Sequence, residues 1–230
     1  MDAEREASDA GGLLADRVLG FIRERIARGE IGPGDRLNEL EIAQSLSISR
    51  GPVREAIRRL SSSGLLVPAR NAGSRVVFLD ESLVRQHYEV RESLESLAAK
   101  LAAERMTAEE LAGLKDILDR HEGEMNAAGS SSYLHGASDR DFHLTILRGA
   151  RNQVIWSICG DQLRDLLGLL RGQHGMTAGR GRRALQEHRW IADAIISRQA
   201  DLAGLLMAQH IRASRDNLLS VMAGQGPYSA

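Results

Sequence analysis

The chain has 230 residues, of which 43% are hydrophobic and 27% are charged, and its formal net charge at pH 7 is -1. This length suits one large domain or two ordinary ones, and the near-neutral charge means that any nucleic-acid signal must be local. No apolar stretch approaches the roughly 20 residues of a membrane span, and the polar N-terminus is unlike a secretory signal, so we expect no membrane partner and a cytoplasmic location. The single cysteine, Cys159, excludes an internal disulfide.

Two sequence patterns meet near residue 79. Short helical patterns and a β-rich end, LLVPARNAGSRVVFL, precede this point, whereas apolar residues recur at helical spacing after it. We therefore predict a mainly α protein, in which a small α-rich unit ending in a β-hairpin is followed by an all-α antiparallel helical bundle. The predicted domains are 13–79 and 80–223, between flexible tails at 1–12 and 224–230.

The stretch ELEIAQSLSISRGPVREAIRRLSSSGLL predicts a helix, a tight turn and a second helix capped by Ser49. At 100° per residue, the apolar residues of the second helix form one stripe, and Arg50, Arg54 and Arg58 form another about 110° away. Residues 50–75 hold six arginines and one acidic residue, which gives this region a local charge of +5. One face of the helix is thus expected to pack inward while the other presents guanidinium groups.

Arginine can bind a phosphate or the edge of a guanine through two parallel hydrogen bonds. A helix, a tight turn, a basic helix and a basic hairpin also follow one another in the order of a winged helix-turn-helix. In this interpretation the hairpin is the wing, and Arg70 and Arg75 reach the DNA backbone or minor groove. The alternative is a solvated basic face without a partner.

The segment GEIGPGDRLNELEIAQSLSISRGPVREAIRRLSSSGLLVPARNAGSRVV, above all SRGPVREAIRRL, resembles the DNA-binding domain of the GntR family of bacterial transcription regulators. In that family the residues matching Arg50, Arg54 and the wing around Arg70 to Gly73 meet DNA. The resemblance implies that residues 13–79 are a winged helix-turn-helix domain and that the partner is a double-stranded DNA operator.

Four potential metal ligands lie on inner faces of the predicted bundle. Asp139 and His143, in DRDFHLTIL, are four residues apart and share one face of a helix. If the last two helices turn near residues 199–201, His188 and His210 each lie about 16 Å from that turn. Antiparallel packing of the two helices then places both histidines at the same height along the bundle. Burying three imidazoles and a carboxylate is costly unless they share hydrogen bonds or a metal.

One carboxylate oxygen and three imidazole nitrogens suit a divalent ion such as Zn²⁺, Ni²⁺, Mn²⁺ or Fe²⁺, with zinc as the first choice. The alternatives are core histidines that bind no metal, or an ion that only stabilises the fold. A metalloenzyme whose open coordination position activates water is a further reading. It is disfavoured because the chain has no HExxH motif, and HEGEM at 121–125 lacks the second histidine.

The segments YEVRESLESLAAKLAAERMT, DRDFHLTILRGARNQVI and EHRWIADAI through MAQHI resemble the all-helical ligand-binding domain, of the FCD type, found in the FadR branch of the GntR family. The resemblance implies that Asp139, His143, His188 and His210 hold the ion and that a small organic acid often completes its coordination. It also suggests that Arg91 pairs with a carboxylate of the effector. An ion pair of Arg91 with Glu95, one helical turn away, is the alternative.

These features together predict a metabolite-responsive transcription regulator, most often a repressor in this family, and not an enzyme. It would bind an inverted-repeat operator as a homodimer, because two recognition helices related by a two-fold axis match two half-sites. A small carboxylate effector would shift the dimer between two arrangements, with a coupling on the order of 1–3 kcal/mol. A sensor of the metal alone is the competing interpretation.

Overall fold

The computed structural model describes residues 2–69, 73–78, 80–128, 137–162, 177 and 179–225. These residues divide into two compact units, the first ending before residue 79 and the second beginning at Asp80. The predicted wing residue Arg70, and the part of the predicted C-terminal tail beyond Gln225, lie outside the described residues. None of the helices within the described ranges is long and apolar enough to cross a membrane.

The first unit consists of three helices and a small sheet. Its elements are α1 (Asp2–Ala27), β1 (Arg36–Leu37), α2 (Glu39–Ser45), α3 (Arg50–Ser62), β2 (Leu66–Pro68) and β3 (Ser74–Val76). The three strands are antiparallel in the order β1-β3-β2, and Arg75 on the central strand faces Arg36 on one side and Val67 on the other. This arrangement confirms the predicted helix-turn-helix followed by a β-hairpin.

The first helix includes most of the segment that the sequence predicts as an N-terminal tail. Residues 2–12, predicted as a flexible tail, form the beginning of α1. Alanine, glutamate and arginine, which favour helix, make up six of these eleven residues.

The core of the first unit fixes which face of α3 is exposed. Val53, Ala56, Ile57 and Leu60 of α3 are buried, and α1 packs against this helix with its own stripe of apolar residues. Leu66 and Val76 of the hairpin are also buried, and they complete the apolar core. Since these positions recur every three or four residues, the arginines on the other side of α3 are directed away from the core.

The turn between α2 and α3 contains a residue in the left-handed region. Ser47 has a φ of +54° and is exposed, and its N–H donates to the carbonyl oxygen of Gln44 at 3.1 Å. A residue with a Cβ atom is strained in this conformation by roughly 1–2 kcal/mol, whereas glycine is not.

We expect Ser47→Gly to increase the stability of the first unit by about 0.5–1 kcal/mol, because the relief of backbone strain exceeds the entropy that glycine loses on folding. Native-state hydrogen exchange of the buried α3 amides in the full-length protein measures this change. Ser47→Ala is the matched control, which keeps the strain and should not slow exchange. Faster α3 exchange in Ser47→Gly would contradict the expectation.

The second unit is built from helices. They are α4 (Glu81–Arg105), α5 (Ala108–Ala128), α6 (Ala137–Gly149), the short α7 (Gln153–Ile155) that continues into a π-helical segment (Trp156–Gln162), α8 (Arg180–Ile196) and α9 (Ala200–Gln225). The side chain of Asp80 caps α4 by accepting from the N–H of Leu83, and Thr107 and Glu110 form a reciprocal capping box at the start of α5. The fold is therefore mainly α, as predicted.

The longest helices of the second unit, α4 and α9, pack along one another. A Cβ atom at Gly204 would lie 3.1 Å from the carbonyl oxygen of Ser96, so this glycine permits a close approach of the two backbones. The α8–α9 turn is held by Arg198, whose guanidinium donates to the carbonyl oxygens of Ala103 and Met106 at 2.8 and 2.7 Å. These bonds tie the turn to the C-terminal end of α4 and thereby fix the level of the inner residues of α8 and α9.

Candidate DNA-contacting surface and metal centre

The exposed face of α3 carries the three predicted arginines. The side chains of Arg50, Arg54 and Arg58 are 56%, 66% and 69% exposed. Arg50 and Arg54 share the carboxylate of Glu39 at 3.2 and 3.5 Å. Exposed ion pairs of this kind contribute little to stability, so the guanidinium groups can exchange this carboxylate for another anion.

Arg58 and Arg59, in the second half of α3, have different partners. Arg58 donates two hydrogen bonds to Glu55, at 2.7 and 2.9 Å, and this bond lowers the pKa of the Glu55 carboxyl. Arg59 instead donates to Asp16 of α1 at 2.8 Å. Arg59 therefore links two helices of the first unit and does not belong to the exposed basic face.

At the hairpin, Gly73 is exposed and has a φ of +81°, a conformation that favours glycine. A Cβ atom there would also approach the carbonyl oxygen of Leu37 to 3.3 Å. The backbone at Gly73 closes the hairpin by accepting from the N–H of Ala69 at 3.1 Å. Of the predicted wing residues Arg70, Gly73 and Arg75, the structure thus describes Gly73 and Arg75 and not Arg70.

In the second unit, three of the predicted ligands come together in the interior. His143 on α6, His188 on α8 and His210 on α9 are all buried, and one ligand nitrogen from each lies within 4.8 Å of the other two. The Nε2 atoms of His188 and His210 are 3.2 Å apart. Phe142 stacks on the His188 ring with its centroid 4.2 Å away, which fixes the plane of that imidazole.

Two carboxylates hold the outer nitrogens of two of these rings. His143 Nδ1 donates to Glu95 at 2.6 Å, and His210 Nδ1 donates to Glu187 at 2.7 Å. The Nε2 atom of each ring then carries the lone pair, a tautomer that follows from the hydrogen-bond network. His143 Nε2 is buried and has no hydrogen-bond partner among the described residues. Carboxylates in this position are typical of metal-binding histidines, where they orient the ring and raise its basicity.

Each carboxylate is bound in turn by a buried arginine. Arg91 Nε donates to Glu95 at 2.7 Å, and both terminal nitrogens of Arg180 donate to Glu187 at 2.8 Å. Burial alone would raise the pKa of Glu95, but Arg91 and His143 lower it well below its ordinary range. Burial would also raise the pKa of Glu187, but the hydrogen bonds from His210 and Arg180 lower it. Both carboxylates are therefore ionised beside the histidines.

Sequence reasoning missed Glu95 and Glu187 as parts of the site. The only signal for Glu95 was its position one turn after Arg91, and Glu187 was visible only as the neighbour of His188. The structure places Arg91 in the ion pair that was its alternative interpretation, with 1% of the residue exposed. Asp139 lies on α6 one turn before His143, and the structure does not describe its side chain.

The three imidazoles can provide part of a divalent metal site. Metal–nitrogen bonds in proteins are about 2.0–2.1 Å long, so ligands of one ion lie about 3–4 Å apart. The spacing of His188 and His210 falls in this range, and a ligand nitrogen of His143 lies within 4.8 Å of both. The buried, unpartnered Nε2 of His143 and the nitrogen-rich donor set both fit an ion such as Zn²⁺ or Ni²⁺.

Comparisons with known proteins match both units of the chain to known families. The family model described as "FCD domain" matches residues 86–213, and the one described as "Bacterial regulatory proteins, gntR family" matches residues 14–76. The "Nta operon transcriptional regulator" of Aminobacter aminovorans is 29% identical over 84% of this chain and 88% of its own length. The "Probable D-xylose utilization operon transcriptional repressor" of Paenarthrobacter nicotinovorans is 30% identical, over 87% and 86% respectively.

The fold is also similar to that of a solved structure. The protein described as "E. coli McbR/YncC" superposes with a TM-score of 0.73 and 21% sequence identity, covering 90% of this chain and 97% of the other. At this identity the comparison supports the order and packing of the helices and not the chemistry of any site.

We expect Glu187→Gln to weaken metal binding by about 10- to 100-fold, because the amide keeps the shape of the side chain and loses the charge that orients His210. Competition titration of the full-length protein against a chromogenic chelator measures the affinity. Glu89→Gln, an exposed carboxylate on α4, is the matched control and should bind metal like the wild type. Equal affinities in the two variants would contradict the role of Glu187.

Proposed function

This chain belongs to the GntR family of bacterial regulatory proteins and carries an FCD domain, and we propose that it is a metabolite-responsive repressor controlled by a small organic acid. The chain is a DNA-binding transcription regulator, and not an enzyme, since its family and its relatives are regulators. The repressor action, the acid and the operator are the parts that we propose. Its place of action would be the bacterial cytoplasm, where it meets the chromosome.

The DNA-binding part of the proposal rests on one observation, the exposed basic face of α3. Arg50, Arg54 and Arg58 would enter the major groove, while Arg70 and Gly73 of the wing would contact the backbone or the minor groove. We assign this role to residues 13–79 and the effector-binding role to residues 80–223. A homodimer would place two copies of α3 on the half-sites of an inverted repeat.

The metal part of the proposal rests on the cluster of three buried imidazoles. His143, His188 and His210 would bind a divalent ion, with zinc as the first candidate, and Asp139 would supply an oxygen ligand from the same face of α6 as His143. The bound ion would supply a positive charge that holds an effector carboxylate. Arg91 adds a second buried positive charge nearby, and we propose that it attracts the same carboxylate while its Nε holds Glu95.

A sensor of the metal itself is the second candidate, and it is favoured by the hydrogen bonds through which Glu95 and Glu187 orient two of the histidines. Such a protein would change its operator affinity when the ion binds, with no response to acids. Measuring operator affinity at saturating metal, with and without a panel of organic acids, separates the two functions. A change of about 5- to 150-fold on adding one acid supports the acid-responsive regulator.

We expect Arg54→Ala to weaken operator binding by at least about tenfold, because each good bidentate base contact contributes about 1–3 kcal/mol of discrimination. The operator fragment is selected from random DNA by the wild-type protein, and affinities are measured at one fixed salt concentration. Arg85→Ala, which removes an exposed arginine from α4, is the control of equal charge. If both variants bind the operator like the wild type, α3 is not the recognition helix.

The double variant His188→Ala with His210→Ala should lose the bound metal and unfold at a lower temperature, since two of the three clustered ligands are removed. Elemental analysis of the purified protein gives the metal content, and calorimetry gives the unfolding temperature. His87→Ala, a half-buried histidine of α4 outside the cluster, serves as the control. Unchanged metal content in the double variant would falsify the assignment of the site.

A further inference from the structure

A second candidate ligand site lies at one end of the helical unit, between the beginning of α8 and the last turns of α9. It is a cavity of about 460 Å³, a volume within the range of small-molecule pockets. Its polar lining consists of Thr177, Arg180, Arg183, Asp216, Asn217 and Ser220. Neither the histidines nor Arg91 belong to this lining.

The charge distribution at the beginning of α8 favours an anion. The N-cap residue is Gly179, which has no side chain to cap the helix, and the first turn contains Arg180, Arg182 and Arg183 but no acidic residue. The N-terminus of a helix carries a partial positive charge and normally attracts acidic side chains. The charge of Arg180 is balanced by Glu187, but Arg182 and Arg183 repel the helix dipole and one another, and a bound anion would relieve this repulsion.

Two buried hydrogen-bond donors of the lining lack partners. Arg180 is 6% exposed, and its Nε atom has no hydrogen-bond partner in the described part of the chain. The same holds for Nδ2 of Asn217, whose Oδ1 is engaged by the hydroxyl of Thr177. A buried donor without an acceptor costs about 1–3 kcal/mol, so two of them beside one cavity indicate a ligand that accepts hydrogen bonds.

The lining also offers acceptors. Asp216 contributes a carboxylate, which also pairs with Arg215 at 2.9 Å, and Ser220 contributes a hydroxyl. A simple inorganic anion would leave these acceptors unused, whereas the hydroxyl groups of an organic ligand could donate to them. The lining therefore combines donors for an oxyanion with acceptors for hydroxyl groups.

We propose that this cavity binds a small hydroxylated carboxylate, such as a sugar acid, with its carboxylate on Arg183, Arg180 Nε and Asn217 Nδ2. This ligand is a second acid, separate from the effector carboxylate that we propose at the ion, so the cavity and the metal centre are two different sites. Arg180 connects the two sites, since the guanidinium that lines the cavity also holds Glu187, and Glu187 holds His210. Occupancy of the cavity is thus coupled to the geometry of the metal centre.

Calorimetric titration of the metal-loaded full-length protein tests the cavity with three probes: D-gluconate, inorganic phosphate and D-glucose. We expect one gluconate per chain, weaker binding of phosphate and no binding of glucose. In Arg183→Gln and Asn217→Ala the gluconate affinity should fall by about tenfold or more, the loss expected for a hydrogen bond to a charged group. Arg182→Gln removes the same charge from the same turn of α8, outside the lining, and should change the affinity less than twofold.

Several results would overturn the proposal. Equal losses of gluconate affinity in Arg183→Gln and Arg182→Gln would mean that only the general charge of the turn matters. Phosphate that binds as tightly as gluconate would contradict the selection of a hydroxylated acid. Saturable binding of none of the probes would overturn the site altogether. Gluconate binding that requires the metal, and that is unchanged in Arg183→Gln, would place the acid on the ion. Metal-free wild-type protein that still binds gluconate through Arg183 would support the cavity as a site separate from the ion.

Discussion

Two chains of hydrogen bonds, each running from a buried arginine through a glutamate to a histidine, determine the interior of the helical unit. Burying an ionised carboxylate or guanidinium costs several kcal/mol unless its partners satisfy it. Glu95 meets this condition between Arg91 and His143, and Glu187 meets it between Arg180 and His210. Removing the arginine or the glutamate of either chain would leave the other charge buried without its present counter-charge. This constraint requires α4, α6, α8 and α9 to keep their relative rotations.

The packing around these chains explains why the helices can satisfy that requirement. Gly204 lets α4 and α9 approach closely, and Arg198 fastens the α8–α9 turn to the end of α4. The two contacts fix the separation and the level of the helices that carry Glu95, Glu187 and two of the histidines. Phe142 then fills the space beside His188 and excludes water from that ring. Apolar side chains and backbone contacts thus hold the polar centre, and few alternative rotamers remain for its side chains.

The sequence predicted the parts of the site that depend on one helix or on one turn. The arginine stripe of α3 follows from a period of 3.6 residues, and the capping box of α5 follows from the spacing of Thr107 and Glu110. His188 and His210 were placed level because they are equally far from one turn. Glu95 and Glu187 could not be assigned in this way, since contacts with His143 and His210 depend on how separate helices rotate. Helical spacing alone did place Arg91 beside Glu95, but it could not decide between that ion pair and an effector.

The two hydrogen-bond chains have the same chemistry but different surroundings, and this difference assigns them different roles. Arg91 is 1% exposed, and Glu95 beyond it is almost as deeply buried, so this chain lies in the interior beside the metal centre. Arg180 is also buried, yet it lines a cavity that a small molecule can enter. A ligand that draws on the Arg180 guanidinium weakens its hold on Glu187, and Glu187 then holds His210 less firmly. By linkage, an ion that fixes His210 must change the affinity of that cavity by the same factor. The first chain therefore supports the metal centre from the interior, while the second would connect that centre to the cavity.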